Sequence, residues 1–86
     1  VGLDLGRELE AYLFPNPTNS VFQVQFGSEM QAVRVRVTDV SGKVLLEKDA
    51  TNTDKVQLEL EAASGMYFVE VVADGLSKVF KLRKDQ

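Results

Sequence analysis

Apolar and polar residues alternate along most of the chain, a pattern typical of strands with one buried face. The last two alternating runs flank Asp74 and Gly75, and this dipeptide predicts a type I′ hairpin turn because both of its positions must adopt positive φ. Such a turn sets the cross-strand pairs as Ala73 with Leu76, Val71 with Lys78, Val69 with Phe80 and Tyr67 with Leu82. One face of the hairpin is then apolar, so we expect Phe80 to be buried and Lys81 exposed.

Four further runs alternate in the same way, at residues 21–26, 32–38, 43–47 and 56–60. Their β-branched residues favour extended structure. Gly27 and Ser28 predict a break between the first two runs, and Ser41 with Gly42 predicts a turn between the next two. Residues 49–54 are polar and predict a loop.

The segment at residues 9–14 fits two patterns. Its apolar residues alternate as in a strand, but three of them also fall on one face of a helix. Pro15 favours the strand, because a residue that precedes proline is driven out of the α region. Pro15 and Pro17 then predict a rigid turn that lies outside any central strand.

Seven short strands with frequent turns predict an all-β domain, since strands with one apolar face must stack as two sheets or close as a barrel. We favour a seven-stranded immunoglobulin-like antiparallel β-sandwich. The cysteines and tryptophan of antibody domains are absent, so the expected resemblance to that fold is architectural. At 86 residues the chain is one domain, and no apolar run is long enough to span a membrane.

The charge is unevenly distributed. Residues 1–75 hold six Lys and Arg against twelve Asp and Glu, whereas residues 76–86 hold four against one, so their net charges are −6 and +3. An acidic body argues against nucleic acid as a partner. The basic end has two explanations, a recognition surface or the protection of an exposed sheet edge by lysines.

The chemistry of most catalytic sites is missing. Without histidine or cysteine the chain cannot form a Ser-His-Asp or Cys-His arrangement or a zinc site. Glu59 and Glu61 are candidates for the carboxylate pair of a glycosidase, but they occupy outward positions of a predicted strand and would be solvated. Asp49, Asn52 and Asp54 could offer oxygen ligands to calcium, but they lack the spacing of a calcium-binding loop. We therefore expect neither an enzyme nor a cofactor, and we read residues 49–54 as an ordinary solvated loop.

Three stretches together carry a family resemblance. They are residues 14–19 with Pro15, Asn16 and Pro17, residues 37–44, and residues 65–69 followed by 78–82. In this order and at these distances they resemble the C-terminal sorting domain of type IX secretion substrates of Gram-negative bacteria. Family members often have glycine after Pro-Thr-Asn, where this chain has Ser20.

The resemblance implies that the domain is a sorting signal rather than a catalyst. Such domains are similar to an immunoglobulin sandwich, follow a larger cargo in the same chain, and are recognised by the outer-membrane translocon after export to the periplasm. In most members a surface sortase complex cuts before the domain and joins the cargo to lipopolysaccharide. For this chain, that implies a sorting domain at residues 9–86, a linker with the cleavage region at residues 1–8, and a cargo at the cell surface or in the extracellular space. The start at Val1, with neither Met nor a leader, agrees with a piece of a longer precursor.

The motifs supply the candidate recognition residues, which are Pro15, Asn16, Pro17, Gly65, Tyr67, Lys78, Lys81 and Lys84. Each also has a purely structural explanation. The prolines can simply end a strand, the glycine can supply a turn, and Tyr67 is expected in the core with its hydroxyl bonded to the backbone.

Two other functions fit a small exported sandwich. One is a passive adhesin or spacer. The other is a carbohydrate-binding module, which requires an exposed aromatic platform, and the aromatic residues not predicted inward are Tyr12, Phe14 and Phe68.

Overall fold

The computed structural model describes residues 9–85, which form five β-strands and no helix. The strands are β1 (Ala11–Phe14), β2 (Val21–Thr38), β3 (Val44–Glu59), β4 (Gly65–Ala73) and β5 (Leu76–Lys84). All strand pairings are antiparallel, which confirms the all-β antiparallel class. The linker predicted at residues 1–8 lies outside the described residues.

The long strand β2 organises the sheet. Its first half pairs with β1 on one side and with the second half of β3 on the other. Its second half pairs with β4 and with the first half of β3, and β5 follows β4 at the edge. Each half of the β2–β3 hairpin is therefore the centre of its own group of strands.

A bulge joins the two halves of β2. Between Gln25 and Met30 the strand advances by five residues, while β3 recedes only from Lys55 to Thr53. The extra residues change which positions point inward, so buried side chains are even-numbered before the bulge and odd-numbered after it.

The hairpin bends sharply at this bulge. Lys48 donates from Nζ to the carbonyl of Gln57 at 2.9 Å, although both residues belong to β3 and lie nine positions apart. A straight strand of that length would separate them by about 30 Å. The two halves consequently face each other, and their buried side chains form one hydrophobic core.

The prediction of seven strands was wrong, and the structure has five. Neither the break at Gly27 and Ser28 nor the polar loop at residues 49–54 interrupts its strand. In β3 the reason is that polar residues of segment 49–54 pair with the second half of β2, as Thr51 does with Ala32. Such backbone pairing needs no apolar face. Gly27 and Ser28 lie in the bulge of β2, where the N–H of Gly27 donates to the carbonyl of Glu10. One strand therefore takes the place of two predicted ones in both β2 and β3.

The closing hairpin agrees with the prediction in turn type, register and faces. Asp74 and Gly75 have φ of 49° and 84°, as a type I′ turn requires. All four predicted cross-strand pairs are present. Phe80 is half-buried and Lys81 is exposed, which confirms the face assignment.

Candidate recognition site

Three segments that hold candidate recognition residues meet at one end of the molecule. Gly65 at the start of β4 pairs with Lys84 at the end of β5, and Thr18 forms a parallel bridge to Lys84 from the other side. Residues 15–18, 65–67 and 81–85 are thus neighbours in space. We refer to these three segments as the motif end.

Asn16 ties the first motif to the last. Its side-chain Nδ2 donates to the carbonyl of Lys81 at 2.8 Å, and its Oδ1 accepts from the backbone N–H of Arg83 at 3.1 Å. The amide thus occupies the donor and acceptor positions that a neighbouring strand would take. A carboxylate or an alkyl group at position 16 could not make both bonds.

Thr18 continues this pairing along β5. Its N–H donates to the carbonyl of Arg83 at 2.9 Å, and its own carbonyl accepts from the N–H of Asp85 at 2.7 Å. The residue is 2% exposed, and its hydroxyl donates to the carbonyl of Val21 at 2.7 Å. Asn16 and Thr18 together cover the outer edge of β5 over residues 81–85.

Two exposed prolines, Pro15 and Pro17, stand on either side of Asn16 in the segment that contacts β5. The peptide bond before each of them is cis. Neither has an N–H to donate, so the backbone and side-chain donors that reach β5 come from Asn16 and Thr18. The proline rings remain available to a partner.

Tyr67 lies in the core, as predicted from the sequence. Its ring is buried against the hydrophobic cluster, and its hydroxyl donates to the carbonyl of Ala63. The same arrangement, a tyrosine bonded to the backbone a few residues upstream, is typical of immunoglobulin-like domains. Nearby, Gly65 is exposed with φ of 155° and open space where a Cβ would stand, so the backbone conformation rather than the space favours glycine there.

Removing the hydroxyl of Tyr67 should weaken the fold modestly. We expect Tyr67→Phe to lower the free energy of unfolding by about 1 kcal/mol, since a buried ring would keep its packing and lose one hydrogen bond. Urea denaturation followed by circular dichroism measures this. Tyr12→Phe is the matched control, because Tyr12 is exposed and its hydroxyl lies 3.4 Å from its Glu10 acceptor. Equal midpoints for the two variants would contradict a structural role for the Tyr67 hydroxyl.

The three candidate lysines differ in exposure. Lys78 is half-buried; its Nζ reaches the carbonyl of Ala11 at 3.4 Å and lies 5.4 Å from the ring centre of Phe80. Lys84 is only 8% exposed, since it shares the inward face of β5 with Leu82. Lys81 points outward and is exposed, which makes it the most accessible of the three to a partner.

The exposed part of the motif end also contains Met66 and Arg83, which were not among the candidate recognition residues. Met66 is 45% exposed and pairs directly with Arg83, whose side chain is 67% exposed. Arg83 could have been found from the hairpin register, which puts it on the same face as Lys81. The contacts of Thr18 with β5 could not have been found from the sequence, because no local pattern connects Thr18 with Lys84, 66 positions away.

The outer face of β2 and its neighbours carries charges that are largely paired. The Nε of Arg34 lies 2.9 Å from Oδ1 of Asp49. The guanidinium of Arg36 lies 2.9 Å from Oε2 of Glu47 and 3.9 Å from Oε1 of Glu70. The hydrogen bond from Arg34 lowers the pKa of Asp49 below its ordinary value. Arg34, Arg36, Asp49 and Glu70 border a groove of about 630 Å³, so its charged lining consists largely of ion-paired side chains.

The exposed aromatic residues do not form one platform. Tyr12 and Phe14 are exposed on the outer side of β1, whereas Phe68 is half-buried on β4, in the other half of the sandwich. Within residues 9–85 there is no helix with the length and apolarity that a membrane crossing requires.

Comparison with known proteins gives a family and a fold. The family model of the secretion system C-terminal sorting domain matches residues 12–84. Among solved structures, the chain is similar to a DUF3244 family protein with an immunoglobulin-like β-sandwich fold from Bacteroides vulgatus ATCC 8482. The TM-score is 0.70 at 13% sequence identity, over 90% of this chain and 99% of the other, so this likeness concerns the fold alone. No curated protein sequence matches the chain.

Proposed function

Because the chain belongs to the family of secretion system C-terminal sorting domains, we propose that it is the label by which the type IX system moves a larger cargo across the outer membrane. The family membership itself indicates a type IX sorting signal, attachment to a cargo, and export toward the cell surface or the extracellular space. The finer steps are part of the proposal. The label acts by binding the outer-membrane translocon and its sortase complex, and it performs no catalysis of its own.

The observation that carries this proposal is the convergence of the three segments of the motif end. Segments that are far apart in sequence lie side by side at the motif end, where Asn16 is hydrogen-bonded to Lys81 and Arg83, 65 and 67 positions away. A label that is read as a folded object needs its recognition residues on one surface. The motif end supplies such a surface.

The linker has a separate role in this proposal. A surface sortase cuts in or before residues 1–8 and joins the released cargo to lipopolysaccharide, as the resemblance implies for most family members. The folded domain would then be discarded. Its small size suits this use, since a single domain needs only enough stability to present its motif end.

A transplanted label tests the proposal. Residues 1–86 are fused to the C-terminus of a reporter that is normally exported only to the periplasm, in a host with a working type IX system. We expect the reporter to become accessible to protease added outside intact cells, because the label is transferable. We also expect it to lose the mass of the domain, because the sortase removes it.

Two controls define a failure. The reporter alone must stay periplasmic, and the fusion must also stay periplasmic in a host whose type IX translocon is deleted. If the wild-type fusion is folded, as judged by resistance to periplasmic proteases, and still remains in the periplasm, the domain is not a sufficient sorting signal. Surface exposure at full mass would support sorting and contradict cleavage.

A further inference from the structure

We propose that the receiving machinery binds the outer face of β4 and β5 at the motif end through side chains, and that its contact surface is a small acidic patch on a folded protein. The docking face comprises Met66, Phe68, Lys81 and Arg83. The inference rests on the proposed function and adds both the mode of binding and the chemistry of the partner.

The mode of binding follows from the backbone edge of β5, which Asn16 and Thr18 cover over residues 81–85 and which we call the sealed edge. Recognition of a terminal strand could proceed by strand addition, in which the partner pairs with the free backbone edge. Over residues 81–85 that edge is already occupied by Asn16 and Thr18, through four hydrogen bonds of 2.7 to 3.1 Å. A partner strand could pair there only after displacing the first motif, whereas the side chains of Lys81 and Arg83 are accessible without any rearrangement.

The docking face combines apolar and cationic groups in two cross-strand pairs. Met66 lies opposite Arg83, and Phe68 lies opposite Lys81. Side chains opposite each other in an antiparallel pair are neighbours on the same face of the sheet. A partner that covers Met66 and Phe68 thereby contacts both cations.

The charge of the partner is inferred from how many carboxylates lie near each cation on the outer face of β2, β4 and β5. In the described part of the chain, Arg34 and Arg36 each have two carboxylates of adjacent strands within 4 Å. Among residues 9–85, Lys81 has no carboxylate within 4.0 Å, and Arg83 has only its near neighbour Asp85, at 3.2 Å. The docking face therefore keeps more of its positive charge for carboxylates of a partner.

A localised acidic patch fits this face better than a polyanionic lipid surface. Anionic membranes are typically bound by clusters of about four to eight basic residues, and the docking face has two. Glu70 and Asp85 lie close by, and the domain as a whole has a net charge of −3. Those carboxylates would repel a broad negative surface but tolerate a small one centred on Lys81 and Arg83.

Charge reversal tests the proposal in the full reporter fusion. We expect Lys81→Glu/Arg83→Glu to reduce the surface-exposed fraction of the reporter about tenfold or more, because like charges then face each other in the complex. Lys81→Gln/Arg83→Gln, which removes the charges without reversing them, should reduce it by a smaller factor. The matched control compares single reversals. Lys81→Glu should reduce export, whereas Lys55→Glu, which reverses an exposed lysine of β3 that pairs with Gln25 and lies outside the motif stretches, should leave export unchanged.

A second pair of variants separates face binding from edge binding. In β5 the N–H of Val79 points away from β4, as the outward bonds of Arg83 and Asp85 show for the odd positions of this strand. Val79→Pro therefore removes an edge donor while the β4–β5 ladder remains, and Ser77→Pro does the same at the next outward position. We expect normal export from whichever of the two has a melting temperature within a few degrees of wild type. Loss of export in such a folded variant would show strand addition and overturn the proposal.

The remaining outcomes are equally decisive. If the wild-type fusion is exported and Lys81→Glu/Arg83→Glu is exported equally well, this inference fails while the proposed function stands. If the wild-type fusion itself is not exported, the proposed function fails. If the purified wild-type domain binds vesicles that contain lipopolysaccharide and the reversal variant does not, the cationic face reads a lipid rather than a protein, which also overturns the proposal.

Discussion

Replacing Leu82 by alanine is expected to lower the free energy of unfolding by about 3 kcal/mol, within the range of roughly 2–5 kcal/mol typical of buried leucines. Leu82 is fully buried in the hydrophobic core and lies opposite Tyr67 in the β4–β5 ladder. The substitution leaves a cavity where the motif end joins the core. For a domain of this size, the melting temperature should fall by about 12 °C or more, which calorimetry or thermal circular dichroism measures.

Val79→Ala is the matched control for Leu82→Ala. It truncates another aliphatic side chain of the same strand, but Val79 is 60% exposed on the opposite face. We expect its unfolding free energy to stay within about 0.5 kcal/mol of wild type. Similar melting temperatures for the two variants would mean that the inward and outward faces of β5 are assigned wrongly.

The stability of these variants bears directly on how export defects are interpreted. Leu82→Ala can impair export merely by unfolding a small domain, since total stabilities are commonly only about 5–15 kcal/mol. A defect in Lys81→Glu/Arg83→Glu at an unchanged melting temperature reports instead on recognition. The two kinds of variant lie next to each other in sequence and are separated only by the face of β5 to which their side chains belong.

The closing hairpin could be predicted in full because its determinants are local. Asp74 and Gly75 specify the turn, and the turn together with the alternation of side chains specifies the register and the faces. Even the burial of Lys84 follows from that register, since it is two positions after Leu82. A lysine can occupy such a position when its aliphatic stem packs inward, which composition alone does not suggest.

The strand count could not be predicted because it depends on which segments lie opposite each other. Residues 49–54 have the composition of a loop, and Gly27 with Ser28 has that of a break. Segment 49–54 is extended because it pairs with β2 within one long hairpin, where backbone hydrogen bonds replace the apolar face that marks other strands. Gly27 and Ser28 form a bulge within β2 instead of ending it.

The sequence motifs supplied candidate recognition residues but not their arrangement. The motifs identified Asn16 and Lys81, yet nothing local indicates that the side chain of Asn16 bonds to the backbone of β5. The same holds for Thr18. Long-range polar contacts of this kind have no periodicity in the sequence, so the sealed edge, and with it the choice of face binding over edge binding, emerged only from the structure.

Asp74 is expected to stabilise the fold by more than its part in the turn. Its carboxylate accepts hydrogen bonds from the backbone N–H of Gln31 and Ala32 at 3.0 to 3.1 Å, and its own N–H donates to the carbonyl of Ala32 at 3.1 Å. The carboxylate thereby fastens the tip of the β4–β5 hairpin to β2 just past the bulge. Alanine would lose these bonds and would be strained at φ of 49°, so we expect Asp74→Ala to lower the unfolding free energy by about 2 kcal/mol.

Three substitutions of Asp74 separate the contribution of its carboxylate hydrogen bonds to β2 from its contribution to the turn. Glycine tolerates the positive φ but has no acceptor, and asparagine suits a type I′ turn while keeping one acceptor oxygen. We therefore expect stability in urea to fall in the order aspartate, asparagine, glycine, alanine, and the amide hydrogens of Gln31 and Ala32 to exchange faster as the acceptor is lost. If asparagine and glycine both matched or exceeded wild type, the carboxylate would contribute nothing beyond the turn. Since the turn lies at the opposite end of β5 from Lys81 and Arg83, a folded Asp74→Asn should also sort its cargo normally, which ties the export signal to the motif end rather than to the stability of the hairpin as a whole.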